Sequence, residues 1–511
     1  MMKHAENKQT HSVPLSSSLD ENVSLMKDIF EECDDLVYQF AEIENKKLCF
    51  IYFANMVNSQ ALFDIEQGLL KFETGDEALP ALTRNSFSIN HATELNDVGS
   101  VKEQIVAGQT ILFIDQEKHA FMFPSSHSAG REVSEPSTEQ TIKGSKESFV
   151  ENIQTNVMLL RQRIRNPSLK IQQMTLGTQT NTRISVAYMK GVANEGIVQE
   201  VVQRLSQIEI DGILDSQSVA SLINDTPKSP FPTVLTTERP DRVCGALLDG
   251  KIAILIDGTP FVLAVPVGFF DFFKSSEDYY ENSFLSSTIR WVRFFGLLVA
   301  LILPSFYIGL TMYHQDLIQT PFLIRIAASR EDLPYPVLVE AIFMLITFEL
   351  IREAGFRMPR TLGGSTVTIL GLLLIGQIAV QGGLIGAVTM IFISLAALVS
   401  FILPDYEFHQ IIRFCGIFFL VLTGVFGFMG LLVGLLFLLT HLVSLRSFGV
   451  PYFSPISPAT QAGWKDVFIR APRWAVNMQS AKFDMSNIYR EENRNGPVSS
   501  NEKKGDRDEE N

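Results

Sequence analysis

Apolar and polar positions change rhythm twice along this chain. Residues 1–23 hold no sustained apolar pattern, and their Ser/Asn/His-rich composition predicts a disordered arm. From Val23 short amphipathic runs follow one another. Asp20 or Ser24 is placed to cap a helix running towards Cys33. KLCFIYFANMV (47–57) reads as a strand, and QTILFID (109–115) with HAFMFP (119–124) reads as a hairpin across Gln116–Lys118. Together these predict a first α/β subdomain over 24–124. Residues 125–148 carry almost no large apolar side chains and predict a linker. Beyond it, Val150, Ile153, Val157, Leu160 and Ile164 recur at helical spacing, RISVAYM (183–189) alternates as a strand does, and EGIVQEVVQRLSQI (195–208) is helical again. In CGALLDGKIAILIDGTPFVLAVP (244–266), Asp249-Gly250 and Asp257-Gly258 punctuate apolar runs, which predicts a three-stranded meander. These elements form a second α/β subdomain over 149–275.

After a juxtamembrane segment, 276–290, the polar positions thin out. A spanning helix needs about 20 apolar residues. The stretches 291–312, 337–351, 362–381 and 384–403 meet that pattern, and 411–445 is long enough to reach about 50 Å at 1.5 Å per residue. Gly424, Gly427 and Gly430 sit mid-way along the last, which predicts two short spans, a single strongly tilted helix being the alternative. The expected architecture is an α/β N-terminal region of two subdomains, then an all-α polytopic membrane bundle over 291–445 with six spans, or five. A cytoplasmic tail over 446–511, disordered at its end, follows. Residues 317–329 look like a surface or re-entrant helix. The aromatic-rich 267–284 is either an interfacial platform or part of a domain core.

Charge sharpens this division. The 511 residues carry a net charge of −14 with a mean hydropathy of +0.16. Residues 1–290 hold 25 Lys/Arg against 39 Asp/Glu, whereas 291–445 hold only 7 against 8. The acidic excess therefore lies wholly ahead of the apolar stretches, and an acidic region without a basic stripe argues against nucleic acid as a partner. Four scattered cysteines form no CxxC, so neither a disulfide framework nor a metal site is expected. The first 20 residues lack an apolar run, which predicts no signal peptide. With the N-terminus inside, ten Lys/Arg flank the inner ends of the spans and two the outer ends. That places both termini in the cytoplasm and favours an even number of spans.

No nucleotide-binding, zinc-protease or nucleophile-elbow motif is present, so no enzyme, cofactor or metal is expected. His314 and His441 read as packed or interfacial histidines. Ionisable residues inside a span are expensive and mark functional candidates, which singles out Glu340 and Glu349. Glu349 is spaced to pair with Arg352; Glu340 has no cation nearby in its own helix and is the better candidate for an ion or partner contact, or it snorkels. On the third span Thr366, Leu370, Leu373, Gln377, Gln381 and Leu384 share one helical face. That face either lines a pore in an oligomer, with a leucine constriction between polar ends, or packs inside a bundle. The adjacent stripe, Ser365, Ile369, Leu372 and Gly376, suits close helix packing.

Seven segments in order, TERPDR (237–242), DGTPF (257–261), EDYY (277–280), LPSFYIGL (303–310), FELIREAGFRMPR (348–360), IGQIAVQGG (375–383) and HLVSLRSFGVPYFSP (441–455), resemble the A subunit of the spore germinant receptors, the GerA family, of endospore-forming bacteria. The resemblance spans about 100–475 and includes REVSEP (131–136). It implies a multi-pass protein of the spore inner membrane with both termini facing the spore core. It also implies a transporter-like B subunit and a lipoprotein C subunit as partners, and self-association, as a pentamer, into a nutrient-gated cation channel. The sequence departs from the family pattern at Leu345, where an acidic residue is common, and at Gly386-Ala387, where Ser-Pro is. A membrane-anchored signalling scaffold without its own pore is the alternative function. A secondary transporter is a third, for which no internal repeat is evident.

Overall fold

The computed structural model describes residues 13–43, 46–70, 92–126, 135–136, 138–331, 333–357, 374–457 and 466–470. They form two compact units. The first runs to Asp225 and resumes over Val234–Pro266; the second takes Thr226–Thr233 and continues from Val267.

The first unit is α/β and holds two sheets. Helix α1 (Leu19–Ile29), strands β1 (Leu36–Ile43) and β2 (Lys46–Phe53), helix α2 (Ser59–Leu70), strand β3 (Thr93–Leu95), helix α3 (Val98–Val106) and strands β4 (Thr110–Ile114) and β5 (Ala120–Phe123) build an antiparallel sheet of order β1-β2-β4-β5-β3. Alternation along β2 splits its side chains between two cores. Cys49 and Ile51 pack with Met26 of α1 and Val101 of α3, while Leu48 and Phe50 pack with Leu112 and with Ile65 of α2. Burial on both faces explains why β2 and β4 read as continuous apolar runs.

The second sheet follows the same plan. Helix α4 (Ile153–Arg163) precedes strands β6 (Leu169–Leu176) and β7 (Thr182–Met189). Helices α5 (Glu195–Ser206) and α6 (Ser216–Ile223) lead to β8 (Leu235–Thr237), helix α7 (Pro240–Leu248), β9 (Ile252–Ile256) and β10 (Val262–Val265), in the order β6-β7-β9-β10-β8. Asn152 and Asn194 cap α4 and α5, their side chains accepting backbone N–H groups of the first turn. The expected meander is corrected here: 240–248 is helical, and only β9 and β10 pair as a hairpin. Pro240 opens α7 and Asp241 favours its first turn. Asp249-Gly250 ends the helix instead of linking strands, with Gly250 at φ 84°.

Residues 138–148, within the expected linker, are bound to the second sheet. Glu238 Oε1 accepts the Thr138 N–H (2.5 Å) and hydroxyl (2.7 Å). The buried Arg239 guanidinium donates to the Glu139 carbonyl (3.1 Å) and the Ser145 carbonyl (2.9 Å), and is paired with Asp241 at 2.7 Å.

Among its described residues, the regular structure of the second unit is helical apart from a two-stranded ladder of β11 (Arg446–Ser447) and β12 (Val450–Pro451). Short 3-10 turns over Phe269–Phe273 and Ser276–Tyr279 lead into α8 (Ser283–Met312). Then come α9 (Thr320–Ala328), α10 (Val337–Arg357), a helical stretch at 374–381, α11 (Ala387–Ser400), α12 (Tyr406–Phe426) and α13 (Phe428–Ser444). Helices α8 and α12 are long and apolar enough to cross a membrane; α11 and α13 are shorter apolar helices. Tyr307, Ile308, Met344, Ile393 and Leu420 meet in its core. Gly427 separates α12 from α13 at φ 63° and ψ −150°, a region that only glycine adopts without strain. The excursion Thr226–Thr233 delivers Phe231 against Phe408 and His441 (ring centroids 6.4 and 5.9 Å). The α/β region with two sheets followed by an all-helical region is the fold class that the sequence predicts.

Candidate functional site

Among the described residues, two places gather polar groups where apolar ones are expected. The first is the junction between the two sheets of the α/β unit. The segment leading into β1 runs beside β6: the Asp34 N–H donates to the Ile171 carbonyl (3.0 Å), and the Ile171 N–H donates to the Glu32 carbonyl (3.3 Å). Asp35 and Arg161 meet at this crossing. Arg161 Nε and Nη2 donate to the two Asp35 oxygens at 2.8 and 2.7 Å, and both side chains are buried. Arg161 Nη1 donates to the Leu169 carbonyl (2.9 Å), and the guanidinium lies 4.1 Å from the Phe53 ring centre. Burial pushes the Cys33 thiol up, and pushes Cys49 and Cys244 up to about 12, so these are inert packing residues.

Beside this crossing lies a cleft of about 380 Å³ with walls from both sheets. Asp34, Asn55, Gln154, Gln173, Arg183 and Ser185 give it a polar lining. Asp34 is held by the Gln173 N–H at 2.7 Å, and Arg183 by Asp257 at 2.9 Å. The sequence offers one signal for the crossing: Arg161 falls four residues after Val157 and eight after Ile153, on the apolar stripe of α4. A cation there must find a buried partner.

The second place is the helical unit. Phe269, Phe270, Phe272 and Phe273 are buried, stacking among others with Phe294 (4.5 Å) and Phe408 (5.3 Å). Tyr279, Tyr280 and Phe284 remain exposed. The aromatic segment therefore divides: its first half is core and its second half a surface. Behind the rings, the buried Asp278 carboxylate accepts from Arg290 Nε (3.0 Å) and Arg293 Nη1 (2.8 Å). Asp466 returns from beyond α13 to accept from Arg290 (3.1 Å) and Lys274 (2.7 Å). Burial alone would raise the Asp466 carboxyl, but Lys274 and Arg290 overcome this and hold it at about 2. Two of the cations counted as inner-flank charges are thus buried in pairs.

Glu340 is buried at the first turn of α10. Its Oε1 lies 3.0 Å from Arg330 Nη2, and its Oε2 accepts the Gly386 N–H (3.1 Å) at the start of α11. The cation that its own helix lacks comes from the loop after α9. Glu349 is half-exposed and pairs with Arg352 (3.2 Å), at the spacing read from the sequence, and with Arg413 of α12 (2.9 Å). Of the proposed pore face, Thr366, Leu370 and Leu373 lie outside the described residues. Gln377, Gln381 and Leu384 are all exposed on the helical unit. Gly376, on the adjacent stripe, is buried, and a Cβ there would collide with Met390. His314 and His441 pack against rings, and His441 Nε2 also sits 2.9 Å from the Ser229 hydroxyl.

Comparison with known proteins agrees with the resemblance read from the motifs. Residues 24–481 match the family described as Bacillus/Clostridium GerA spore germination protein. Spore germination protein KA of Bacillus subtilis is 36% identical over 92% of this chain and 87% of its own. An uncharacterized membrane protein of the same organism, YfkQ, is 35% identical over 97% of both chains, and spore germination protein GerLA of Bacillus cereus is 37% identical over 72% of this chain and 75% of its own. A crystal structure of the N-terminal domain of the A subunit of the Bacillus megaterium spore germinant receptor GerK3 is 29% identical, covering 50% of this chain and 97% of that one, with a TM-score of 0.38.

Proposed function

This chain belongs to the GerA family of spore germination proteins, and from that premise we propose that it is a membrane subunit of a nutrient germinant receptor of the spore inner membrane. In this reading both termini face the spore core. Copies of the chain, five in the ring, assemble into a cation channel, and a transporter-like B subunit and a lipoprotein C subunit complete the receptor. Nutrient binding shifts a closed ring towards a conducting one by favouring the second state. The observation that supports the channel reading is the outward placement of Gln377 and Gln381 beside the exposed apolar Leu374, Ile375 and Ile378. Amide side chains facing hydrocarbon are unfavourable, and an oligomer axis offers them water.

The competing reading is a membrane-anchored scaffold that recruits other germination proteins. It is favoured by the state of the two intramembrane carboxylates, since Glu340 and Glu349 are both held by arginines. Flux separates the two. The chain reconstituted with its partner subunits in liposomes is expected to release trapped cations when a mixture of amino acids, sugars and nucleosides is added. Leu373→Ser is expected to leak without nutrient, because a polar residue wets the constriction. Absence of flux in both proteins overturns the channel and leaves the scaffold.

A further inference from the structure

The junction of the two sheets carries an inference that holds whether the helical unit conducts or only anchors. We propose that the Asp35–Arg161 crossing welds the two α/β subdomains into one rigid body, so that the cleft beside it is preformed and does not open and close by hinge motion.

Three independent observations support the weld. First, Asp35, just before β1, and Arg161, on α4, come from different subdomains and are joined by two parallel hydrogen bonds with both side chains buried. Separating the subdomains would strand both charges in a poorly hydrated interior, or flood the core around Phe53 and Leu169 with water. Second, the backbones themselves are joined: Glu32, Asp34 and Ile171 exchange two hydrogen bonds across the boundary. Glu32 sits at φ 62° to do so, a left-handed conformation that a non-glycine residue keeps only where its surroundings dictate it. Third, the apolar cores interpenetrate. Met158, three residues before Arg161 on α4, is buried in the core of the first sheet among Met26, Phe30 and Phe53. Hinged domains meet through small polar interfaces; this boundary has shared apolar packing and a buried ion pair instead. On the surface, Lys190 of the second sheet pairs with Glu31 and Glu32 (2.8 and 3.2 Å), and the Tyr188 hydroxyl donates to Glu32 (3.0 Å).

The consequence is mechanical. A ligand in such a cleft is recognised by fit to fixed walls, and any signal leaving the α/β unit does so as a displacement of the whole unit.

Pulsed electron spin resonance on the full-length chain with its partner subunits tests this. Spin labels go on Glu103→Cys of α3 and Gln199→Cys of α5, both exposed, with Cys415 replaced by Ser and the buried cysteines retained. With labelled copies diluted in excess unlabelled chain, so that only distances within one chain are read, the expected result is a single narrow distance distribution that a mixture of amino acids, glucose and inosine leaves unchanged. Two populations, or a nutrient-dependent shift beyond about 2 Å, the scale of genuine domain rearrangement, overturns the weld. Asp35→Ala is expected to broaden the distribution, and Asp35→Asn, which keeps the shape and removes the charge, to broaden it less. An unchanged distribution in both variants overturns the assignment to this pair.

Discussion

Asp278 and Asp466, far apart in sequence, bind the cations Lys274, Arg290 and Arg293, and Asp271 also lies 3.7 Å from Lys274. Arg290 reaches both Asp278 and Asp466, and Lys274 and Arg293 each reach one of these two. Counting charges along the chain registers Arg290 and Arg293 as inner-flank cations, but the carboxylates that bind them lie on other elements. The pairing therefore could not be read locally. Asp466 makes the arrangement testable by pH. Its carboxyl, held at about 2, stands near 4 in an unfolded chain. A depressed carboxylate stabilises the fold fully above the unfolded value and loses that contribution as pH falls through the folded one. The 466–470 segment is thus expected to stay seated at pH 5 and to loosen progressively between about pH 4 and pH 2. Trp291 reports it, because its ring stacks on Phe468 with centroids 5.7 Å apart. With Trp464 and Trp474 replaced by Phe, emission that does not change across this window refutes the role given to Asp466.

Helix and strand boundaries tell where local patterns decide structure. Gly427 is the sharpest case. Its backbone, at φ 63° and ψ −150°, breaks the long apolar run into α12 and α13, and a Cβ there would lie 3.1 Å from the Tyr313 ring. Gly427→Ala is expected to cost about 1–3 kcal/mol, read as a lower unfolding temperature of the extracted protein. A variant as stable as wild type contradicts the strain. Where one element decides its own state, the sequence was legible: β2, the β4–β5 hairpin, β7 and α5 form where alternation or helical spacing places them. The meander failed because Asp-Gly serves two purposes. It turns a hairpin, and it also ends a helix in the left-handed conformation, as Gly250 does after α7. Only the preceding Pro240 distinguished the two. Residues 138–148 were illegible for a different reason. Their polar composition is that of a linker, but their backbone groups are satisfied by Glu238 and Arg239, about a hundred residues further on. Among the candidate site residues, the Glu349–Arg352 pair was readable because both partners share a helix, whereas the Arg330 partner of Glu340 comes from a loop.

At the scale of the whole molecule, the division into an acidic α/β region and a nearly neutral helical one was visible in the charge sums, and the fold has the same two parts. Assembly belongs to this scale. One copy exposes Gln377 and Gln381 on its helical unit, and the proposed ring would give these amides a water-filled axis. Chemical crosslinking in native membranes is expected to yield a ladder ending at five subunits. Recovery of monomers alone sinks the ring.

The excursion Thr226–Thr233 has a bearing on descent. The chain leaves the α/β unit, seats Phe231 between Phe408 and His441, and returns before leaving again at Val267. The two units are therefore interleaved in the gene and not set end to end. Recombination at a single point cannot exchange the N-terminal half between relatives without also carrying across eight residues that belong to the helical half. A hybrid joined near residue 266 inherits a foreign plug in its helical bundle, so such hybrids are expected to fold less stably than either parent, read as a lower unfolding temperature.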